Sequence, residues 1–236
     1  HQEWENLQKL NIALTLSTDF DFPSNLKEIP WPPFAIYQKG EKIKNDELIV
    51  AIVGTRKASD HGKKTAYEFA KSLSDLNISV VSGLALGIDA EAHKAVAHNK
   101  KRTIAVLANS LETVYPSTNS SIAKSILENG GTLVSEYPIG SATLARKFIE
   151  RNIIVCGLSK AIIVVEAPEK SGGMHTARFA LDQNREIFVV PGNINNLNYK
   201  GSNSLIKAGA NLIDNIKDIA DFLGIDLESR TNEDKL

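Results

Sequence analysis

Leu48-Ile49-Val50-Ala51-Ile52-Val53-Gly54-Thr55-Arg56 is an uninterrupted apolar run closed by a glycine, a hydroxyl residue and an arginine. A strand that is apolar at every position has no side to offer water. It must be covered on both faces, as strands of parallel sheets are. Downstream, Ala66, Phe69, Ala70, Leu73 and Leu76 recur at helical spacing, so His61–Leu76 reads as a helix with one buried stripe. The alternation then continues. Strands are expected at Ile78–Val81, Thr103–Leu107, Thr132–Val134, Ala161–Val165, Ile187–Val190 and, briefly, Asn211–Ile213. Helices are expected at Ala90–His98, Ser120–Glu128, around Leu144–Leu158, at Met174–Gln183 and Ser202–Ala208, and from Ile216.

Strict strand–helix alternation with apolar strands implies an α/β fold: an extended Rossmann-like architecture with a mostly parallel sheet and helices on both faces. Upstream, Pro23, Pro30, Pro32 and Pro33 forbid a long helix. That segment is expected to hold only a short helix before Pro23 and an extended stretch around Phe34–Gln38. The expected organisation is a lead-in over 1–46, a Rossmann-like domain over 47–222 and a flexible acidic tail over 223–236.

Of the 236 residues, 42% are hydrophobic and 23% charged, which suits a globular protein with a core large enough to need no staples. A single cysteine, Cys156, forbids an internal disulfide and points to a reducing, cytoplasmic setting. Apolar runs such as Ala161–Val165 are far too short to cross a bilayer, so no membrane partner is expected. The sole methionine is Met174, which suggests a processed or truncated chain. A net charge of −1 excludes a grossly basic coat protein but leaves room for a local basic site. The acids gather at the end: Asp214, Asp218, Asp221, Asp226, Glu228, Glu233 and Asp234 face only Lys217, Arg230 and Lys235.

In such sheets ligands bind beyond the carboxyl ends of the strands. After the first apolar strand, Gly54 allows close backbone approach, Thr55 offers a hydroxyl and Arg56 a planar phosphate fork. After the second, Ser82-Gly83-Leu84-Ala85-Leu86-Gly87-Ile88-Asp89 opens a helix, without the dinucleotide spacing or a Walker lysine. A tight turn that merely needs small residues is an equal reading. Asp89 and His93 share a helix face but lack a third ligand. The expectation is therefore no metal, with Asp89 capping the helix and hydrogen-bonded to His93. Phe148, Arg151 and Asn152 share a face of a later helix, an arrangement suited to a stacked base and its phosphate. Around them Arg146, Lys147, Arg151 and Lys160 outnumber the acid Glu150. The alternative is that Arg151 pairs with Glu136 or Glu166. Lys170-Ser171-Gly172-Gly173 and Pro191-Gly192 complete the small, polar strand ends.

These motifs together resemble the DNA-processing protein A (DprA/Smf) family. The resemblance is carried by Ile52-Val53-Gly54-Thr55-Arg56, Ser82-Gly83-Leu84-Ala85, Gly87-Ile88-Asp89, Ala92-His93 and Tyr115-Pro116. Ser135-Glu136-Tyr137, Phe148 with Arg151-Asn152, Gly157-Leu158-Ser159, Ser171-Gly172, Thr176-Ala177, Pro191-Gly192, and Gly201 with Asn203 and Leu205-Ile206 extend it in order from about Pro30 to Ile213. It implies a Rossmann-like domain that binds single-stranded DNA, loads a RecA-type recombinase during natural transformation and dimerises. Arg56, Lys147 and Arg151 are then expected on phosphates and Phe148 on a base. Gly54, Thr55, Ser82, Gly83, Gly87, Asn152, Ser171 and Gly172 would supply close-approaching backbone and polar donors. Where the family commonly reads F-P-x-R-N-R, Ile149 and Ile153 stand here, and the loss of the second arginine removes a phosphate contact. The loop that usually reads S-G-S is Ser171-Gly172-Gly173, followed by His175. The winged-helix and N-terminal helical domains of many members are not expected within these residues.

A second class is a nucleotide-cleaving enzyme like the Lonely-guy phosphoribohydrolases, with a P-G-G-x-G-T-x-x-E loop. Aligning its glycines on Gly172-Gly173 puts Phe179 at the catalytic glutamate, which leaves an oxocarbenium-like transition state unsupported. No enzyme and no cofactor is therefore expected. A specialised paralogue acting in phage defence is a further alternative.

Overall fold

The structure, a computed structural model, describes residues 2–227. The expected tail, 223–236, lies largely outside the described residues. One nine-stranded sheet runs through the molecule in the order β1-β2-β6-β5-β4-β3-β7-β8-β9. Its strands are β1 (Ile12–Leu16), β2 (Ala35–Gly40), β3 (Ile49–Val53), β4 (Ser79–Ser82), β5 (Thr103–Val106), β6 (Thr132–Ser135), β7 (Ala161–Val164), β8 (Glu186–Val189) and β9 (Asn211–Leu212). From β6 through β9 every pairing is parallel.

The apolar run is the reason the sheet is sandwiched. Ile49, Ala51 and Val53 of β3 enter one core cluster, Val50 and Ile52 the opposite one. The first cluster is closed by α6 (Lys147–Leu158) and α7 (Gly172–Asp182). The second is closed by α3 (Asp60–Asp75), α4 (Ile88–His98) and α9 (Ile216–Phe222). A third cluster packs α1 (Gln2–Lys9) and α5 (Ser120–Glu128) against β1, β2, β5 and β6.

Residues 1–46 hold more than the expected short helix and extended stretch. Besides α1 and α2 (Ser24–Lys27), they form β1, paired antiparallel to β2, which is itself antiparallel to β6. The prolines do not prevent this, because they fall between the two strands. Within the parallel part the chain reverses direction across the sheet once: β3 leads to β4, β5 and β6 on one side, and β7 returns to the other side of β3. Doubly wound sheets hold ligands at such a switch point, between the carboxyl ends of the two diverging strands.

Candidate functional site

A cavity of about 880 Å³ opens at that position, walled by the segments that leave β3, β4 and β7 and by the first turns of α6 and α7. Its tightness explains the glycines. Thr55 N–H donates to the Glu166 carbonyl at 2.7 Å, which draws the ends of β3 and β7 together. A Cβ on Gly54 would lie 2.5 Å from Ile88 Cγ1. Gly87 has φ +79°, and a Cβ there would sit 2.3 Å from the Thr55 carbonyl oxygen. These glycines let the loops after β3 and β4 touch.

The loop after β4 is held from below. Asp89 accepts from the Gly83 and Ala85 amides at 3.1 and 3.4 Å. Burial pushes its carboxyl up, opposed chiefly by the Arg151 guanidinium. The expected Asp89–His93 hydrogen bond is not what α4 forms. The helix is N-capped at Gly87, and His93, a turn below Asp89, lies 2.8 Å from Thr103 Oγ1 of β5.

Helix α6 brings Phe148, Arg151 and Asn152 to the cavity, with Arg151 as its floor. The guanidinium is buried. It donates through Nη1 to the carbonyls of Gly83 and Val106, and through Nε to Asn152 Oδ1 at 3.1 Å. Burial, opposed by the pull of Asp89 and reinforced by the neighbouring charge of Arg56, lowers its pKa to about 10. Neither Glu136 nor Glu166 is its hydrogen-bond partner. Glu166 instead accepts from Ser59 N–H and Oγ–H and from Asn198 Nδ2, and so ties the Arg56-bearing segment to the loop after β8.

At the mouth the side chains turn outward. The Arg56 guanidinium carbon lies 4.9 Å from the centroid of the Phe148 ring, and Tyr115 meets the same ring at 5.5 Å with a 59° tilt. Lys57, Lys170 and His175 are exposed around them. The Gly172–Gly173 end of α7 faces the cavity, and the buried Ser171 Oγ beside it has no hydrogen-bond partner among the described residues. Among the described residues lining the cavity, Arg56, Lys57, Arg151 and Lys170 are cationic and Asp89 alone is a carboxylate.

Of the residues expected from sequence, Gly54, Thr55, Arg56, Gly83, Phe148, Arg151, Asn152, Ser171 and Gly172 converge on the cavity. Three are placed elsewhere. Lys147 is nine-tenths buried, donates to the Ala142 carbonyl at 2.8 Å and lies 4.2 Å over the Tyr137 ring. Ser82 is fully buried and donates to the Ile52 carbonyl at 2.6 Å, as a tie between β4 and β3. Gly87 shapes the loop contact behind the wall. Lys57, Tyr115, Lys170 and Asn198 line the cavity beyond the expected set. Each sits within the segment that follows a strand, which is the signal that could have found them.

A doubly wound sheet with a cationic cleft at its switch point places the molecule among Rossmann-like proteins. The match is more specific than that: residues 13–224 match the DNA recombination-mediator protein A family, and the chain belongs to it. It is 40% identical over 217 residues to Protein Smf of Escherichia coli, covering 92% of this chain and 58% of that one. The structure of DNA processing protein A from Streptococcus pneumoniae superposes with a TM-score of 0.83 at 33% identity, over 91% of this chain and 76% of that one. The Helicobacter pylori protein, whose single-stranded DNA binding mode has been described, gives 0.80 at 29% identity, over 91% and 96%. Among the described residues, no helix is long and apolar enough to cross a membrane.

Proposed function

We propose that this protein binds single-stranded DNA across the carboxyl ends of its parallel strands and delivers it to a RecA-type recombinase, without catalysing a reaction itself. The observation that carries the reading is the composition of the cleft: four cations against one carboxylate, with the exposed Tyr115 ring and the half-buried Phe148 ring at the mouth. Such a surface attracts phosphates and offers unpaired bases a stacking partner, neither of which depends on sequence. Single-stranded DNA binding in the Helicobacter pylori relative supports it.

Arg56 with Lys57 and Lys170 faces the phosphates, and Arg151 acts from beneath as a fixed buried charge. Gly54, Thr55, Gly83, Ser171 and Gly172 let the backbone come close. A nucleotide-cleaving reading finds no support: Phe179, at the position of the required glutamate, packs against the core. Family membership supports recombinase loading and self-association, and the single cysteine, Cys156, supports a cytoplasmic setting. Light scattering tests the self-association.

Fluorescence anisotropy with a labelled oligo-dT, set against the same strand in duplex and titrated with salt, tests the binding. Wild type is expected to prefer the single strand. Arg56→Ala is expected to bind more weakly and to lower the log–log salt slope by about 0.7, the loss of one phosphate contact. Equal binding by wild type and Arg56→Ala would place the strand elsewhere.

A further inference from the structure

Phe148 is the residue whose sequence reading and placement differ most in consequence. As a lone aromatic beside two cations it reads as a platform for a base. Its ring is already engaged on two sides. Arg56 stacks on it at 4.9 Å, and Tyr115 leans against it at 5.5 Å. Among the described residues Arg56 stands in no ion pair, so the Phe148 ring is the contact that orients an otherwise exposed guanidinium. Phe148 is itself only half-buried, while Tyr115 remains 51% exposed.

We propose that Phe148 is a positioning residue that holds Arg56 ready for a phosphate, and that Tyr115 is the ring on which a base of the bound strand stacks. The proposal rests on the DNA-binding reading of the cleft. An exposed arginine loses side-chain freedom when it grips a phosphate, and a ring that already restricts it lowers that cost. A base laid on the covered face of Phe148 would have to displace the guanidinium. One laid on Tyr115 would not.

The test is a double-mutant cycle read by anisotropy with oligo-dT. In the wild-type background, Phe148→Ala is expected to weaken binding about threefold, the scale of an exposed cation–π contact. In an Arg56→Ala background the same change is expected to have little further effect. Phe148→Tyr, which keeps the ring, is expected to restore wild-type binding. Tyr115→Ala is expected to weaken binding in the wild-type and Arg56→Ala backgrounds by the same factor, about tenfold, with the salt slope intact. Melting curves check that each variant is folded, and Phe148→Leu provides a second ring deletion that keeps apolar bulk. An equal loss from Phe148→Ala in both backgrounds would overturn the proposal and return Phe148 to the role of platform. So would wild-type binding by Tyr115→Ala. If Arg56→Ala itself binds like wild type, the cleft is not the site, and both the function and this refinement fall together.

Discussion

His93 is fully buried, and only Nδ1 has a partner, at Thr103; Nε2 has none among the described residues. Burial, reinforced by the Arg151 charge, lowers its pKa from 6.5 to about 3. Between those values the unfolded chain carries a proton on this ring that the folded chain does not. Its contribution to stability is therefore whole above pH 6.5 and is lost progressively as the pH falls towards 3. Asp89, pushed up by burial, acts in the opposite sense, so the comparison must isolate the histidine. His93→Asn keeps a donor for Thr103 without the titration. Its melting temperature is expected to fall less steeply than that of wild type on acidification from pH 6.5. Parallel curves for the two proteins would contradict the assignment. The shared face of Asp89 and His93 is legible from their four-residue spacing. Their partners are not, because spacing within one helix says nothing about which strand or loop lies opposite each turn.

At the scale of elements, α6 and the loop after β4 form one unit joined through Arg151 and Gly83. A Cβ on Gly83 would fall 2.2 Å from the guanidinium carbon, which two backbone carbonyls fix in place. Gly83→Ala is expected to cost about 1–3 kcal/mol in urea denaturation, as overpacking does. Gly172, with nothing within 4 Å of its Cβ position, is the control. Its alanine variant is expected to change stability by less than about 0.5 kcal/mol, and equal behaviour of the two would refute the joining of α6 to the loop after β4 through Arg151 and Gly83. The periodicity of α6 correctly puts Phe148, Arg151 and Asn152 on one face. It does not show that Lys147 points away, because a lysine suits a cavity and a buried aromatic stem equally well. The strand β1 is hidden in the sequence for a related reason. Asn11 at φ +53° turns α1 directly into β1, with neither glycine nor proline to mark the break.

For the whole molecule, the topology does what neither residue nor element does alone. Segments that leave β3, β5, β7 and β8 are far apart in sequence, yet the switch between β3 and β7 gathers Arg56, Tyr115, Lys170 and Asn198 at one edge. The alternation of apolar strands and amphipathic helices is enough to foresee that edge. The choice of side chains that face it requires the packing. The opposite edge carries its own cations, among them Lys101 and Arg102, but they are engaged: Lys101 with Asn77, and Arg102 with Glu47. Photocrosslinking with an oligo-dT bearing 5-bromodeoxyuridine, followed by mass spectrometry of the adducts, tests the central claim most directly. Adducts are expected on peptides that contain Tyr115 and His175, and to vanish under excess unlabelled oligo-dT. Adducts confined to the peptides around Lys101 and Arg102, with none at the cleft, would contradict it.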